Sequence, residues 1–386
     1  MFNRKELNDQ GCPICGRNSE NRCSLEFSER MGLPVMIGLS VCATCNFAYV
    51  TPRESSGYAR YYASSWNDQS GSYVFSAMDI ERYEAQVATM SHILAQRKSL
   101  RILDIGCGHA GLLRTMHRLY PHHHYHGSDP AVSQEGYDKN GIMFSAATPS
   151  EHASFDLIIL SHVMEHILDL AGFSSLTPLL VPSGTLYVET PDSSRYHDCH
   201  RREYLYYIDR LHVNHFTTLS LSKLMRKWGL TVSQSGTRDF RYKDDLPYPV
   251  CYVLADFSSG DAPPPHCSEQ LGDVLQRYFS LEGKRAMTWR QRLKPDEEIV
   301  VYGFGDNFFR SRMPDGPLHG YRIQAVTDIR WQELSQTSYA HKYRFLSMKS
   351  VIREYVELPF VVTISQGAGL VERSLRQAGV RRVFIL

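Results

Sequence analysis

The chain lacks any net charge of consequence: 42 Lys and Arg stand against 41 Asp and Glu, for a formal charge of +1. No overall field then favours nucleic acid or an anionic membrane, and neither is an expected partner. No apolar run approaches the ~18 residues that a membrane-spanning helix needs. No charged-then-apolar leader opens the sequence, and a cytoplasmic protein is the expectation. Disulfides are not expected either. Nine cysteines in 386 residues, four of them in two close pairs, read better as metal ligands and buried thiols. What is present is ordinary globular material, 42% hydrophobic and 22% charged, enough for well-packed cores. At roughly 150 residues per domain the length allows two or three domains.

The rest of the chain is organised around residues 100–113, reading LRILDIGCGHAGLL. Arg101 to Ile105 is a short apolar run that reads as a buried parallel strand. Gly106, Gly108 and Gly111 follow at the spacing G-x-G-x-x-G. A helix comes next, with Leu112, Leu113, Met116 and Leu119 on one face, stopped near Pro121. Glycines at this crossing let backbone N–H groups approach a ligand, and the helix start favours anionic groups. Taken alone, the glycine pattern serves NAD or FAD as well. The sharper feature is the acid before it, Asp104, which would repel a pyrophosphate but suits an ammonium group. Roughly 25 residues on, at the distance of a second-strand acid, Asp129 ends the strand YHGSD, placed to accept two ribose hydroxyls. The pair Asp104 and Asp129 resembles the corresponding acids of class I S-adenosylmethionine (SAM)-dependent methyltransferases. That resemblance implies SAM as cofactor, with Gly106, Gly108, Pro130, Ser161 and His162 completing its binding set.

Two C-x-x-C knuckles stand in the N-terminal segment, Cys12–Cys15 and Cys42–Cys45. Each turns sharply and points two thiolates at one centre, and two such knuckles make a tetrahedral zinc site. A redox pair would need one knuckle, not two. A small segment poor in apolar residues gains its fold from such a site, on the order of 10 kcal/mol. Four cysteines close the metal, so the expected role is structural. Cys23 is left over and is expected to pack. Residues 49–66 form an aromatic-rich connection in which Tyr61 and Tyr62 either close over the cofactor or pack on the core. A helix is expected over 79–95.

Beyond Asp129 strands are expected at 142–144, 155–160 and 184–189, the last preceded by a Pro182-Ser183-Gly184 turn. Strands alternating with helices argue a doubly wound Rossmann-like α/β sheet with ligands at the strands' carboxyl ends. Asp104, Asp129, Ser161 and Glu189 all fall there. The Glu165-His166 pair resembles the Glu-His found after the fourth strand of many small-molecule methyltransferases. It makes His166 either a substrate-facing base or part of the pocket wall. The histidines at 122–124 and 126 read as a solvated loop cluster. His212 and His215 lie just before a capped helix expected over 218–229.

The double knuckle, D-x-G-C-G, S-H-V-x-E-H, P-x-G-x-L-x-x-E-x-P-D and H-x-x-x-F-T together resemble the zinc-containing sugar C-methyltransferase family. Over most of the chain the resemblance implies a zinc module, a SAM domain and a C-terminal Rossmann-like domain, acting on nucleotide-activated deoxysugars. The expected boundaries are 1–52, 53–256 and 257–386. Members that methylate carbon beside a ketone carry Tyr-x-Glu-His where this chain reads Asp209-Arg210-Leu211-His212. Only the histidine is kept, so oxygen and nitrogen stand beside carbon as expected methyl acceptors. His212 is the leading proton acceptor, with His215 and His166 competing.

The C-terminal third opens on a Pro-, Gly- and Ser-rich stretch at 258–266, then a helix over 271–293. Strands are expected at 299–305, 324–328, 360–365 and 383–386, with a helix from 367. Gly303 and Gly305 lack a third glycine in register, which weakens a dinucleotide assignment. The resemblance gives this part a role in holding the nucleotide-sugar, with Asp328 at a strand end; a purely structural or dimerising role competes. Two other readings stay open: an RNA-modifying methyltransferase with a zinc module, and a non-catalytic SAM-binding partner protein. A small-molecule acceptor, with a nucleotide-linked sugar first, is the expected partner. The sequence leaves the oligomeric state open.

Overall fold

The computed structural model describes residues 11–53, 56–65, 75–96, 98–132, 135–150, 152–199, 201–242, 246–259 and 269–386. Trp66, and the Pro-rich stretch from residue 260 to 266, lie outside the described residues.

Three antiparallel strands come first: β1 (Glu20–Glu26), β2 (Met36–Cys42) and β3 (Phe47–Thr51). Successive side chains of a strand point to opposite faces, so β3 feeds two cores. Phe47 and Tyr49 enter one, and Ala48 and Val50 enter the other. After α1 (Ser56–Ser65) the single helix expected over 79–95 is two pieces, α2 (Ala77–Thr89) and α3 (Ser91–Leu94), broken at Met90. Ser76 and Asp79 form a capping box at the start of α2.

The central sheet has eight strands. Its parallel part contains β4 (Arg101–Ile105), β5 (His124–Ser128), β7 (Met143–Ser145), β8 (Phe155–Ser161) and β9 (Leu180–Pro191), with the short β6 (Gly136–Tyr137) at one edge. Two further strands, β11 (Thr231–Tyr242) and β12 (Leu246–Asp256), close the other edge antiparallel, giving the order β11-β12-β9-β8-β4-β5-β7-β6. The amphipathic helix α4 (Gly111–Leu119) buries Leu112, Leu113 and Met116 in the core it shares with α2 and β4. The fifth strand is longer than expected. Between Phe155 and Leu157 of β8 its register jumps from Leu180 to Thr185, so Pro182 to Gly184 bulge out without ending the strand.

The segment after β9 returns to the first sheet. There β10 (Asn214–His215) pairs with β3, giving the order β1-β2-β3-β10, and α5 (Thr218–Lys227) follows under a Thr217–Ser220 capping box. This return brings His212 and His215 back to the N-terminal strands. The long α6 (Leu271–Arg290) packs Leu271, Val274, Leu275 and Tyr278 into the same core as β1 and β2.

The last third forms a four-stranded parallel sheet, ordered β14-β13-β15-β16, from β13 (Glu298–Tyr302), β14 (Arg322–Thr327), β15 (Phe360–Val362) and β16 (Val383–Ile385). Helices α7 (Asp306–Arg312), α8 (Trp331–Leu334), α9 (Met348–Tyr355) and α10 (Ala368–Gln377) accompany it. Alternate residues of β13 fill separate cores: Ile299 and Val301 with Phe304 and Phe308 on one face, Val300 with Val351 and Leu375 on the other. Among the described residues no helix is long and apolar enough to cross a membrane.

Candidate active site

The glycine turn after β4 sets the first half of the site. Gly106 and Gly108 have φ of +73° and +51°, the left-handed region that favours glycine. A Cβ on Gly106 would stand 2.5 Å from Cγ2 of Val163, so the turn and the loop after β8 approach as closely as backbone allows. The Gly106 N–H donates to Ser128 O at 2.6 Å, tying the turn to the end of β5. Asp129, just past that end, accepts from Gly108 N at 3.0 Å through one oxygen and from Ala131 N at 2.9 Å through the other. Each carboxylate oxygen has a second lone-pair site, so Asp129 keeps capacity for hydroxyls. Pro130 beside it is exposed.

Asp104 is buried at the end of β4. Burial, and then the neighbouring Asp129 charge, push its carboxyl up to about 8 against a smaller opposing pull from Arg82. Two acids beside one glycine turn suit a ligand that offers a cationic head and a pair of hydroxyls. The residues present therefore fit SAM.

Behind this turn lies a buried polar network. Glu189, at the end of β9, accepts from Gln86 Nε2, from Tyr187 Oη at 2.8 Å and from Arg238, while Gln86 also donates to Ser161 Oγ at 2.8 Å. Arg238 donates further to Ala85 O and Thr89 Oγ1 of α2. Ser161 and Glu189 are thus engaged with α2 and β11. His162 takes a left-handed φ of +56° and puts Nδ1 3.1 Å from Glu165 Oε1 and Nε2 3.6 Å from Glu189 Oε1. Burial opposes charge on this ring, but the hydrogen bond to Glu165 and the nearby Glu189 carboxylate outweigh it and raise its pKa. Its Nδ1 is thus engaged by Glu165, with the Glu189 carboxylate close to Nε2.

The second half of the site follows Val163. Glu165, His166 and His212 converge, with their potential ligand atoms all within 4.8 Å of one another. The His166 and His212 rings stand 5.0 Å apart. His166 Nδ1 is 2.9 Å from Leu211 O and 2.9 Å from Tyr62 Oη. Burial, then the neighbouring His166, drive His212 down to about 4, so this imidazole is neutral near pH 7. His215 stands apart from that cluster. Its ring faces Tyr196, with Nδ1 3.1 Å from the phenol, and burial drives it down to about 3.

Two residues hold the histidine-bearing loops together. Arg53 donates to Ile167 O and Leu168 O on one side and to Val213 O and Asn214 Oδ1 on the other. Asn214 Nδ2 donates to Met164 O at 2.8 Å and Ile167 O at 2.6 Å. Reading the sequence singled out neither, because nothing local marks them. Tyr62 had a signal in the aromatic run but no assigned contact, and Glu165 had one in the Glu-His pair.

In the N-terminal part Cys12, Cys15, Cys42 and Cys45 form one cluster, all buried but Cys15. Gly16 and Asn46, each just past a knuckle, have φ of +73° and +54°, which closes each turn on its sulfurs. Four converging sulfur donors, with no fifth group among the described residues, fit a tetrahedral zinc ion. Cys23 packs against the core between β2 and α6 instead. In the C-terminal sheet Gly303 turns at φ +102°, while Asp328 accepts from Phe304 N and Arg330 N at 2.9 Å each.

Comparison with known proteins adds the following. Residues 76–235 match the family model described as a methyltransferase domain. Over 105 residues the chain is 33% identical to the ubiquinone biosynthesis O-methyltransferase of Methylocella silvestris, a match covering 24% of this chain and 40% of that enzyme. The chain thus spans less than half the length of that curated relative. Among solved structures, the magnesium protoporphyrin IX methyltransferase of Synechocystis aligns at 16% identity and a TM-score of 0.38, over 51% of this chain and 97% of that one. The 1,6-didemethyltoxoflavin N1-methyltransferase of Burkholderia thailandensis aligns at 15% identity and a TM-score of 0.34, over 60% and 99%.

Proposed function

We propose that this chain, whose residues 76–235 carry a class I SAM-dependent methyltransferase domain, moves a methyl group from SAM to a small-molecule acceptor. A nucleotide-linked sugar or related natural-product intermediate is the proposed acceptor class. The observation that carries the reading is one juxtaposition. The Asp104–Gly106–Gly108–Asp129 turn and the Glu165–His166–His212 cluster flank the same residue, Val163, which touches Gly106. A donor cradle and a proton-handling cluster therefore lie on two sides of one residue.

SAM, when bound, supplies an electrophilic methyl on a sulfonium centre. Asp129 holds the ribose hydroxyls and Asp104 faces the cationic head. Gly106 and Gly108 let the backbone approach, and Pro130, Ser161 and His162 border the cradle. On the acceptor side, His212 is the proposed group that receives the acceptor proton, with His166, oriented by Leu211 O and Tyr62, beside it. His215 remains a weaker candidate because its ring faces Tyr196. Catalysis then comes chiefly from positioning, with one base adding about 10²–10⁴ in rate. Cys12, Cys15, Cys42 and Cys45 would hold a structural zinc, and the C-terminal sheet, through Gly303, Gly305 and Asp328, is proposed to help hold the acceptor.

The test is titration calorimetry with SAM. One SAM should bind per chain, and Asp129→Ala should weaken it by about 1.5–3 kcal/mol, the worth of a charged hydrogen-bond acceptor. Unchanged affinity in that variant would remove the assignment.

A further inference from the structure

We propose that Glu165, His166 and His212 form a second metal site, separate from the four cysteines, that takes a divalent transition cation. The proposal rests on reading this cluster as the acceptor side of the site.

Three observations point to a cation at this cluster. Glu165 is 1% exposed, and while His162 engages Oε1 at 3.1 Å, Oε2 is buried with no hydrogen-bond partner among the described residues. An unpartnered carboxylate oxygen in the interior is costly unless something positive or a donor meets it. Nδ1 of His212, a residue of the same cluster, is likewise buried and without a partner among the described residues. The third observation is the tautomer of His166. Its Nδ1 lies 2.9 Å from the carbonyl oxygen of Leu211, which only accepts, so Nδ1 carries the proton. Nε2 is then left with a free lone pair. A metal-binding histidine is commonly oriented in this way, donating its other N–H to a backbone carbonyl.

Two imidazole nitrogens and one carboxylate oxygen make a three-ligand face with open positions, suited to iron, manganese, cobalt, nickel or zinc rather than to magnesium or calcium. The ligand atoms lie within 4.8 Å of one another, so seating a cation at bonds of roughly 2.1 Å draws them together by no more than about an ångström. The sulfur cluster is closed, whereas this one leaves positions for oxygen atoms of an acceptor, best a pair of adjacent hydroxyl or carbonyl oxygens. With a cation seated, His166 and His212 serve as its ligands. The metal then acidifies the bound acceptor oxygen, whose proton passes to solvent water rather than to an imidazole.

Cobalt(II) is the probe, added to the full-length protein after zinc has filled the cysteines. A second equivalent should bind and give visible d–d bands without the sulfur-to-cobalt charge-transfer band of a thiolate site. Glu165→Gln and His212→Ala should each weaken that equivalent at least tenfold, keeping one zinc per chain and wild-type SAM affinity as evidence of folding. No second equivalent in the wild type, or one that both variants bind equally well, overturns the proposal. Turnover unaffected by a chelator that strips the second ion, yet slowed in His212→Ala, also overturns it and leaves the base reading standing. Loss of SAM binding in the wild type would strike the functional reading instead, without touching the cobalt result.

Discussion

Asp104 carries the clearest single-residue consequence. Its carboxyl rises from an ordinary 3.8 to about 8 because it is buried, with Asp129 beside it. Between those values the folded, SAM-free chain holds a proton that the unfolded chain has released. The contribution to stability is therefore complete below about 3.8 and is lost as pH climbs through about 8. Asp104→Asn should flatten the fall in SAM-free stability between about pH 5 and 8, measured by chemical denaturation. A cation beside Asp104 favours its ionised form, so SAM binding near pH 7 should release a proton. Calorimetry in two buffers of different ionisation enthalpy reads this directly, and identical heats would refute it. For His212 the expectation is kinetic. His212→Ala should bind SAM normally and turn over at least tenfold more slowly, since a lost base costs about 10²–10⁴ in rate. Single-turnover rates of the His166, His212 and His215 variants decide among the three.

At the scale of elements, the buried contact between α2, β9 and β11 is where substitution should cost most. Arg238 is held by Glu189, which is completely buried. Glu189→Ala would leave that arginine without its carboxylate, and breaking a buried pair from one side costs about 3–5 kcal/mol. The denaturation midpoint should fall accordingly, whereas a loss under about 1 kcal/mol would mean the pair is solvated. The elements that the sequence disclosed are those whose signals are local. The glycine turn, the strand-end acids Asp104 and Asp129 and the cysteine knuckles repeat a chemistry within a few residues. The pair β11 and β12 escaped notice partly because Pro247 and Pro249 argue against a strand. Both lie beyond Val250, the last β12 residue paired with β9, so their missing N–H groups interrupt no ladder there. The contacts that finish the site were out of reach for a different reason. Tyr62 meets His166 across 104 positions, and Arg53 meets Leu168 across 115.

Across the whole molecule, buried arginines tie the histidine loop to its neighbours. Arg210, with no exposed side chain, donates to Ser28 O and Pro34 O of the N-terminal part and to Asp306 of α7. Arg310 of α7 donates to Asp209 and Glu203, and Asp209 in turn accepts from Leu211 N beside His212. Asp209, which stands where the Tyr-x-Glu pattern has Tyr, and Arg210 beside it are thus joined to α7 of the C-terminal part. Deleting residues beyond about 295 would strip partners from Arg210 and Asp209. Arg310→Ala is cleaner. It should slow turnover well before it weakens SAM binding, and equal losses in both would assign it to folding alone. The N-terminal cysteines predict one thiolate-bound zinc per chain, read after cobalt replacement by its sulfur-to-cobalt charge-transfer band and lost in Cys42→Ser; an unchanged band in that variant would place the ligands elsewhere. The most direct measurement is transfer of labelled methyl from SAM by the whole chain incubated with a cell extract, fractionated by size. Label should appear in a small-molecule product with the wild type and vanish with Asp129→Ala. Label confined to RNA or protein, or no label at all while SAM binds normally, would contradict a methyltransferase of small acceptors.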